Sequence, residues 1–267
     1  MKPRRRIDRE SLTTLLYPVL FGALVLVLWQ TQVLHKILGA DTFTLPLPTR
    51  IAKIIGDNWL KILDNVRATA IVALAGLALG SVLGYGLGIV ATAFPKWGVG
   101  GLTVVAAFNA IPIIAIAPIL NNLTKDVSSS PDLRSMVAKI LVVTITTTVS
   151  MSINAYRGLT EVKPYSEDLM KSYAARPMDV FFKLRVPNSV PYIFTALRVS
   201  VPGSVISALV SEYFAEYIVG VGRQIRENIV LAQYATAWAY IAVACLMGIA
   251  MYVILLVVEN ALLKGRR

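Results

Sequence analysis

The chain has one cysteine, Cys245, and one histidine, His35, among 267 residues. A lone cysteine excludes an internal disulfide and a cysteine-based metal site, and a lone histidine reads as a surface or interfacial residue rather than a metal ligand. No Gly-x4-Gly-Lys-Ser/Thr stretch occurs, so no P-loop nucleotide site is expected in this chain. Charge is scarce too: 15% of residues are Asp, Glu, Lys or Arg, where a soluble domain carries about 25%. The gaps between charges settle the class. No charged residue occurs from Ser11 to Leu34, Ala68 to Pro95, Trp97 to Thr124, Ile140 to Tyr156 or Asn228 to Val258, and Val186 to Ser211 is broken only by Arg198.

About 20 apolar helical residues, rising ~1.5 Å each, cross a ~30 Å hydrocarbon core. The runs therefore predict six transmembrane helices, roughly 13–34, 67–93, 98–121, 136–156, 191–214 and 236–259, in an all-α polytopic membrane protein. Alternation of the strand kind is absent, and lipid admits only segments that satisfy their own backbone. Residues 1–12 form a basic N-terminal segment, residues 13–267 a single membrane domain, and residues of about 157–190 a large loop. The arginine cluster before an apolar run resembles a signal peptide, but the run is long and no small-x-small site follows, which predicts a retained anchor.

A net charge of +11 could mean nucleic acid, but the charges follow topology instead. Fifteen cationic residues fall before the first span, between spans two and three, between four and five, and after the sixth; eight fall on the other side. The positive-inside rule places both termini and the 157–190 loop in the cytoplasm. No basic face or recognition module appears, so no nucleic-acid partner is expected.

Within the spans, several patterns stand out. Gly76, Gly80, Gly84 and Gly88 lie four apart, a small-residue stripe that allows close helix approach inside the chain or to a second copy. In the third run, Pro112 and Pro118 each remove a backbone donor. The fourth carries Thr144, Thr146, Thr147, Thr148, Ser150, Ser152 and Asn154; the fifth carries Ser200, Ser204, Ser207 and Ser211 at the spacing of one helix face. These hydroxyls are either helix-to-helix glue or the lining of a polar path, and the second reading selects Asn109, Pro112, Thr147, Ser204 and Ser207. Pro202-Gly203 is placed to bend the fifth span. Arg198 is positioned to snorkel or to face a cavity. Glu212 and Glu216 mark the outer end of that span, and no Asp/Glu/His relay crosses the membrane, which argues against a proton-driven pump. Outside, residues 40–64 predict an amphipathic interfacial helix anchored by Trp59.

The charged stretch EDLMKSYAARPMDVFFKLRVP, Glu167 to Pro187, is the anomaly in an apolar chain. A helix over Tyr165 to Tyr173 is expected, broken by Ala174, Ala175 and Arg176, since a residue before proline avoids the α region. Pro177 suits the first turn of a second helix, with Pro187 and Pro191 expected to stop it. Two short helices with an apolar side of Leu169, Met170, Phe181, Phe182 and Leu184 suit a partner's groove.

The spacing resembles the EAA loop of ABC-transporter permeases. Asp168, Leu169 and Met170 stand at the EAA triplet; Lys171, Ser172 and Tyr173 follow; Ala174 takes the glycine position; Leu184 to Pro187 match the closing I-x-L-P. The triplet and the glycine depart from the family pattern. The stretches LPLPTRI, NAIPIIAIAP and PNSVPYIFTALRVSVPGSVISALVSEYF extend the likeness to the branch serving sulfonate, nitrate, taurine, riboflavin and the pyrimidine precursor of thiamine. The resemblance implies a type I importer permease in a bacterial inner membrane, paired with a second permease copy or paralogue. It implies an external substrate-binding protein and a cytoplasmic ATPase dimer that binds ATP and Mg, with no cofactor in this chain. It also implies that the ATPase receives the loop at Glu167, Asp168, Leu169, Met170, Lys171, Ser172, Tyr173, Ala174, Ala175, Arg176, Pro177 and Pro187. The hydroxyls and Asn109 favour a neutral polar heterocycle over an anion, since Arg198 is the only cation within the path-forming runs.

Overall fold

The computed structural model describes residues 9–124, 126–127, 129–214 and 219–264. Most of the basic N-terminal segment, together with Lys125, Glu216, Arg266 and Arg267, lies outside these residues. The regular elements among the described residues are all helical, with no strand among them. In chain order the helices are α1 (Arg9–Gln30), α2 (Val33–Leu38), α3 (Pro48–Asp57), α4 (Trp59–Ala93), α5 (Pro95–Ala107), α6 (Ile113–Leu123), α7 (Pro131–Thr160), α8 (Ser166–Ser172), α9 (Pro177–Val180), α10 (Val186–Tyr213), α11 (Val221–Val230) and α12 (Tyr234–Leu263). A 3₁₀ turn, Phe108–Ala110, follows α5, and a π-helical turn, Phe181–Arg185, joins α9 to α10.

Four continuous helices are long and apolar enough to cross a membrane: Trp59–Ala93, Leu133–Thr160, Pro177–Tyr213 and Tyr234–Leu263. The other two expected spans are arranged differently. The first breaks at Gln32, whose φ is 63°, between α1 and the short α2. The expected 98–121 helix is two pieces. Pro112 offers no N–H to the preceding turn, Ile111 takes extended φ and ψ of −80° and 120°, and α6 starts afresh at Ile113. Pro118 is tolerated within α6.

At the other end of the chain, prolines do not stop the helix as expected. Pro187 cannot donate to the carbonyl four residues back, but the chain has already widened: Val186 N–H bonds Phe181 O, a five-residue spacing. The wide turn carries α9 into α10 without a break, and Pro191 and Pro202 both lie inside α10. The expected amphipathic helix of residues 40–64 is divided at Asn58, so that Trp59 opens α4 and only Ile51 of α3 is buried.

The core forms where α4, α7, α10 and α12 meet, around Val72, Ala73, Val143, Val205, Ala208 and Met247. Lipid removes the hydrophobic drive between helices, so close packing must hold them. The glycine stripe supplies it. A Cβ at Gly80 would lie 2.6 Å from Thr147 Cβ, at Gly84 2.7 Å from Met151 Cβ, and at Gly88 2.7 Å from Ala155 Cβ; one at Gly76 would overlap Val143. Positions four apart on α4 thus meet Val143, Thr147, Met151 and Ala155, four apart on α7, within one chain. Near the C-terminal end of α1, Trp29 packs edge-on to Trp238 of α12, with ring centroids 5.5 Å apart. Trp238 Nε1 in turn donates to Thr44 O at 3.0 Å.

Candidate functional site

Breaking the third run at Pro112 opens space beside α7 and α10. A cavity of about 450 Å³ lies there, lined by Phe108, Ile111, Ile113 and Ile116 near the break, by one face of α7 that includes Thr146, Thr147, Ser150 and Asn154, and by Val199, Ser200, Gly203, Ile206 and Ser207 of α10. Its walls are isoleucine, valine, phenylalanine, hydroxyls and one amide, with no charged side chain among the lining residues.

The expected path residues separate here. Thr147 and Ser207 line the cavity. Ser207 Oγ lies 3.2 Å from Thr146 Oγ1, joining α10 to α7. Ser204 is buried away from the lining, its hydroxyl donating to Val201 O at 2.7 Å. Pro112 makes the break rather than the wall, and Asn109 falls in the 3₁₀ turn with its side chain outside the described residues. The hydroxyls fall into two overlapping groups, since Thr146 both lines the cavity and donates to Val143 O of its own helix at 3.0 Å. Thr144, Thr148, Ser152, Ser204 and Ser211 bond carbonyls of their own helix. Thr146, Ser150, Asn154 and Ser200 face the cavity. The sequence pointed to a polar fourth span; which of its rows faces the cavity depended on the glycine seam, which turns the 143/147/151/155 row towards α4. Thr147 lies between the two, at the cavity's edge. The hydroxyls of Thr147 and Ser200 are buried and bond no partner among the described residues, an uncommon state for buried polar atoms.

Arg198 does not face the cavity. Its Nε donates to Glu259 Oε2 at 2.9 Å and its Nη2 to Oε1 at 2.6 Å, a two-pronged pair between α10 and α12. Glu259 terminates the last charge-free run, and sequence spacing gave no sign that the two would meet. Glu212 also differs from a simple outer-end marker: it is fully buried, accepting from Thr69 Oγ1 at 3.0 Å and from Gly222 N–H at 2.9 Å.

The charged stretch forms α8, a turn, α9 and the π turn, with no buried residue in any of the three helical pieces. Tyr173 and Met178 are 78% and 66% exposed, and Leu169 and Phe182 are 60% exposed each. One ion pair ties α8 to the π turn: Arg185 Nη2 and Nε both donate to Glu167 Oε1, at 2.8 and 3.1 Å. Ala174 stands at φ 52°, in the left-handed region that its glycine-like position requires. Its N–H reaches Lys171 O at 2.8 Å, and the next N–H, of Ala175, reaches Met170 O at 3.0 Å. That pair of bonds is a Schellman helix end. Arg176 precedes Pro177 in extended geometry, and Pro177 opens α9.

The chain is similar over nearly its whole length to the formylaminopyrimidine transport permease protein ThiX of Halalkalibacterium halodurans, with 27% identity across 94% of this chain and 96% of that protein. It is 24% identical to a probable ABC transporter permease protein of Haemophilus influenzae, over 74% of this chain and 77% of that one. A shorter stretch, 32% of this chain and 30% of its counterpart, is 31% identical to the bicarbonate transport system permease protein CmpB of Synechocystis. Residues 76–265 match the family described as binding-protein-dependent transport system inner membrane component, from the start of the glycine seam through α12. The chain belongs to that family of ABC-transporter permeases.

Proposed function

We propose that this permease forms the translocation path of an ATP-driven importer for a small, uncharged, polar solute, with a pyrimidine-type or other vitamin-like heterocycle favoured over sulfonate, taurine, nitrate or another anion. The observation that carries the reading is the lining of the 450 Å³ cavity: hydroxyls and one amide on an apolar wall, with no charge among them. A desolvated anion needs positive potential along its route. Arg198, the cation nearest the path in sequence, is already engaged by Glu259. Thr147 and Ser200 supply hydroxyls that can donate to or accept from a ring nitrogen or carbonyl, and Ile113, Ile116 and Phe108 supply flat apolar contact. The relative named for formylaminopyrimidine transport supports this choice; the one named for bicarbonate, similar over a third of the chain, supports the anionic alternative. Asn109 belongs to the same proposed path.

As a permease subunit the chain is not itself an enzyme. ATP and Mg belong to a cytoplasmic ATPase dimer that takes the exposed element from Glu167 to Pro187 in its groove. A second permease copy or paralogue and an external binding protein complete the importer. The proposed topology has six crossings, with the four long helices joined by α1 and by the broken α5–α6 pair, and with both termini cytoplasmic in a bacterial inner membrane. Purification of the chain from its own membrane in mild detergent tests the assembly, with a P-loop ATPase expected among the co-purifying proteins. Uptake by the intact importer tests the solute: an aminopyrimidine is expected to compete, and taurine, nitrate and bicarbonate are not. Competition by the anions alone would reverse the substrate assignment.

A further inference from the structure

The outer helix α11 begins with backbone amides that have no partner inside α11, as at any helix start. Side chains from two other helices take them. Gly220 N–H donates to Asn65 Oδ1, Val221 N–H to Thr69 Oγ1 and Gly222 N–H to Glu212 Oε2, each at 2.9 Å. Thr69 Oγ1 also donates to that same carboxylate oxygen at 3.0 Å. Thr69 and Glu212 are fully buried, and Asn65 is 6% exposed. A carboxylate at that depth must be bonded and offset by positive charge. The amide end of α11 contributes one offset. Lys139, buried on α7, contributes another: it lines the same 200 Å³ cavity as Glu212 and reaches Val219 O at 3.4 Å.

The backbone is shaped for this contact. Gly220 has φ 122°, and a Cβ there would press into the Glu212 carboxylate. At Gly222 a Cβ would overlap Leu209 O, so α11 lies at backbone distance from α10. We propose that Glu212 is a positioning residue for transport: with Asn65 and Thr69 it latches the start of α11 onto α4 and α10, and this latch keeps the polar cavity closed to the outer side. The inference rests on the path and orientation proposed above.

The latch sits where closure is needed. Glu212 follows Ser207 by five residues of α10, about 7.5 Å further along the axis. Alongside this part of α10 lies an apolar cavity of about 300 Å³, walled by Leu209 and Tyr213 of α10, by Gly222 and Ile225 of α11, and by Ile114 of α6. Ile114 is flanked by Ile113 and Ile116, which line the polar cavity. At the outer end of α6, Asn121 Nδ2 reaches Phe214 O at 3.5 Å. One helix thus borders both cavities and touches the turn after α10, and α11 supplies part of the apolar cavity's wall. Freeing α11 would remove part of the apolar cavity's wall and release α6, which borders the polar cavity through Ile113 and Ile116. A latch of this kind must open and reform in each transport cycle, so removing it should bias the permease towards the outward-open state.

The test uses the full permease in cells, with Cys245→Ala as background and Ser207→Cys as reporter inside the cavity. A membrane-impermeant maleimide is added from outside. Glu212→Ala is expected to raise the labelling rate at position 207 by about tenfold or more, the size of effect a latch worth a tenfold population shift would give. Leu231→Cys, on the exposed turn after α11, is labelled in a parallel strain and should not change. An unchanged rate at 207 overturns the latch. If Glu212→Ala fails to reach the membrane, the near-isosteric Thr69→Val removes two of the same bonds and carries the same two outcomes. Labelling of Leu231→Cys only in inverted vesicles would overturn the orientation instead, and the comparison at 207 is then made in those vesicles, with the same two outcomes for the latch.

Discussion

The two ends of α10 treat charge in opposite ways. At its C-terminal end, Glu212 is buried and bonds Thr69 and the Gly222 amide, while Thr69 takes the Val221 amide and Asn65 the Gly220 amide. At the other end, the π turn leads out to α8 and α9, where no side chain is buried and apolar groups such as Leu169 and Met178 stand in the open. A closed polar node spends its bonds on its own chain. An open one leaves its apolar area exposed. The difference separates residues that hold the permease together from residues its own bundle leaves uncovered, and it does so without reference to residue type, since both ends use acids and glycine-like turns.

The sharpest way to break this comparison is at the open end. Charge reversal by Asp168→Lys or Arg176→Glu should lower uptake by about tenfold or more, as loss of a complementary contact across an interface does. ATP hydrolysis should continue, and the thermal midpoint of the purified chain should stay where it is, because among the described residues the Asp168 side chain bonds the exposed Lys171, at 3.3 Å, and no buried group. Uptake that survives both reversals would make the loop a packing element of its own bundle. The closed end should behave in the reverse manner. Asn65→Leu leaves the buried Gly220 N–H without its acceptor, a cost of about 1–3 kcal/mol, and should lower the thermal midpoint of the detergent-solubilised chain. Tyr165→Ala, at a site 83% exposed, should leave that midpoint unchanged. A Tyr165→Ala chain as destabilised as Asn65→Leu would erase the distinction between the two ends.

How far this architecture could be read in advance depended on whether a signal was local. Four helices were legible because charge-free length is a property of a single segment, and the glycine stripe was legible because its period is local. The turn at Ala174 was legible from a spacing. Prolines were not. Pro112 breaks its helix because Ile111 adopts extended geometry, whereas Pro187 follows a π turn that has already moved the carbonyl out of register. The same residue type gives opposite results, and the deciding geometry lies in its neighbours. The Arg198–Glu259 pair and the cap on α11 were invisible for a simpler reason: their partners are 61 and up to 155 residues apart. The serine row of α10 was read as one face, but a helix face is wide enough to split. Ser200 and Ser207 turn to the cavity, while Ser204 bonds back to its own helix.

The smallest expected effect tests the two ends at matched turns. Ala174 ends α8 at φ 52°, and Ala232 ends α11 at φ 55°. Both carry the same pair of bonds: Ala174 and Ala175 to Lys171 and Met170, and Ala232 and Gln233 to Ile229 and Asn228. An L residue in the left-handed region is strained, and glycine removes that strain at some cost in unfolded-chain entropy. Each alanine-to-glycine change should therefore gain about 1 kcal/mol or less. The gain should differ in reach. At position 174 it should slow amide exchange of Ala175 and its neighbours in α8 alone, because α8 has no buried residue through which to pass it on. At position 232 it should slow exchange through α11, which buries Val221, Gly222, Gln224 and Asn228 against the bundle. Equal reach from both substitutions would mean that the open end is packed as firmly as the closed one, and that its exposed apolar residues are not held for a partner.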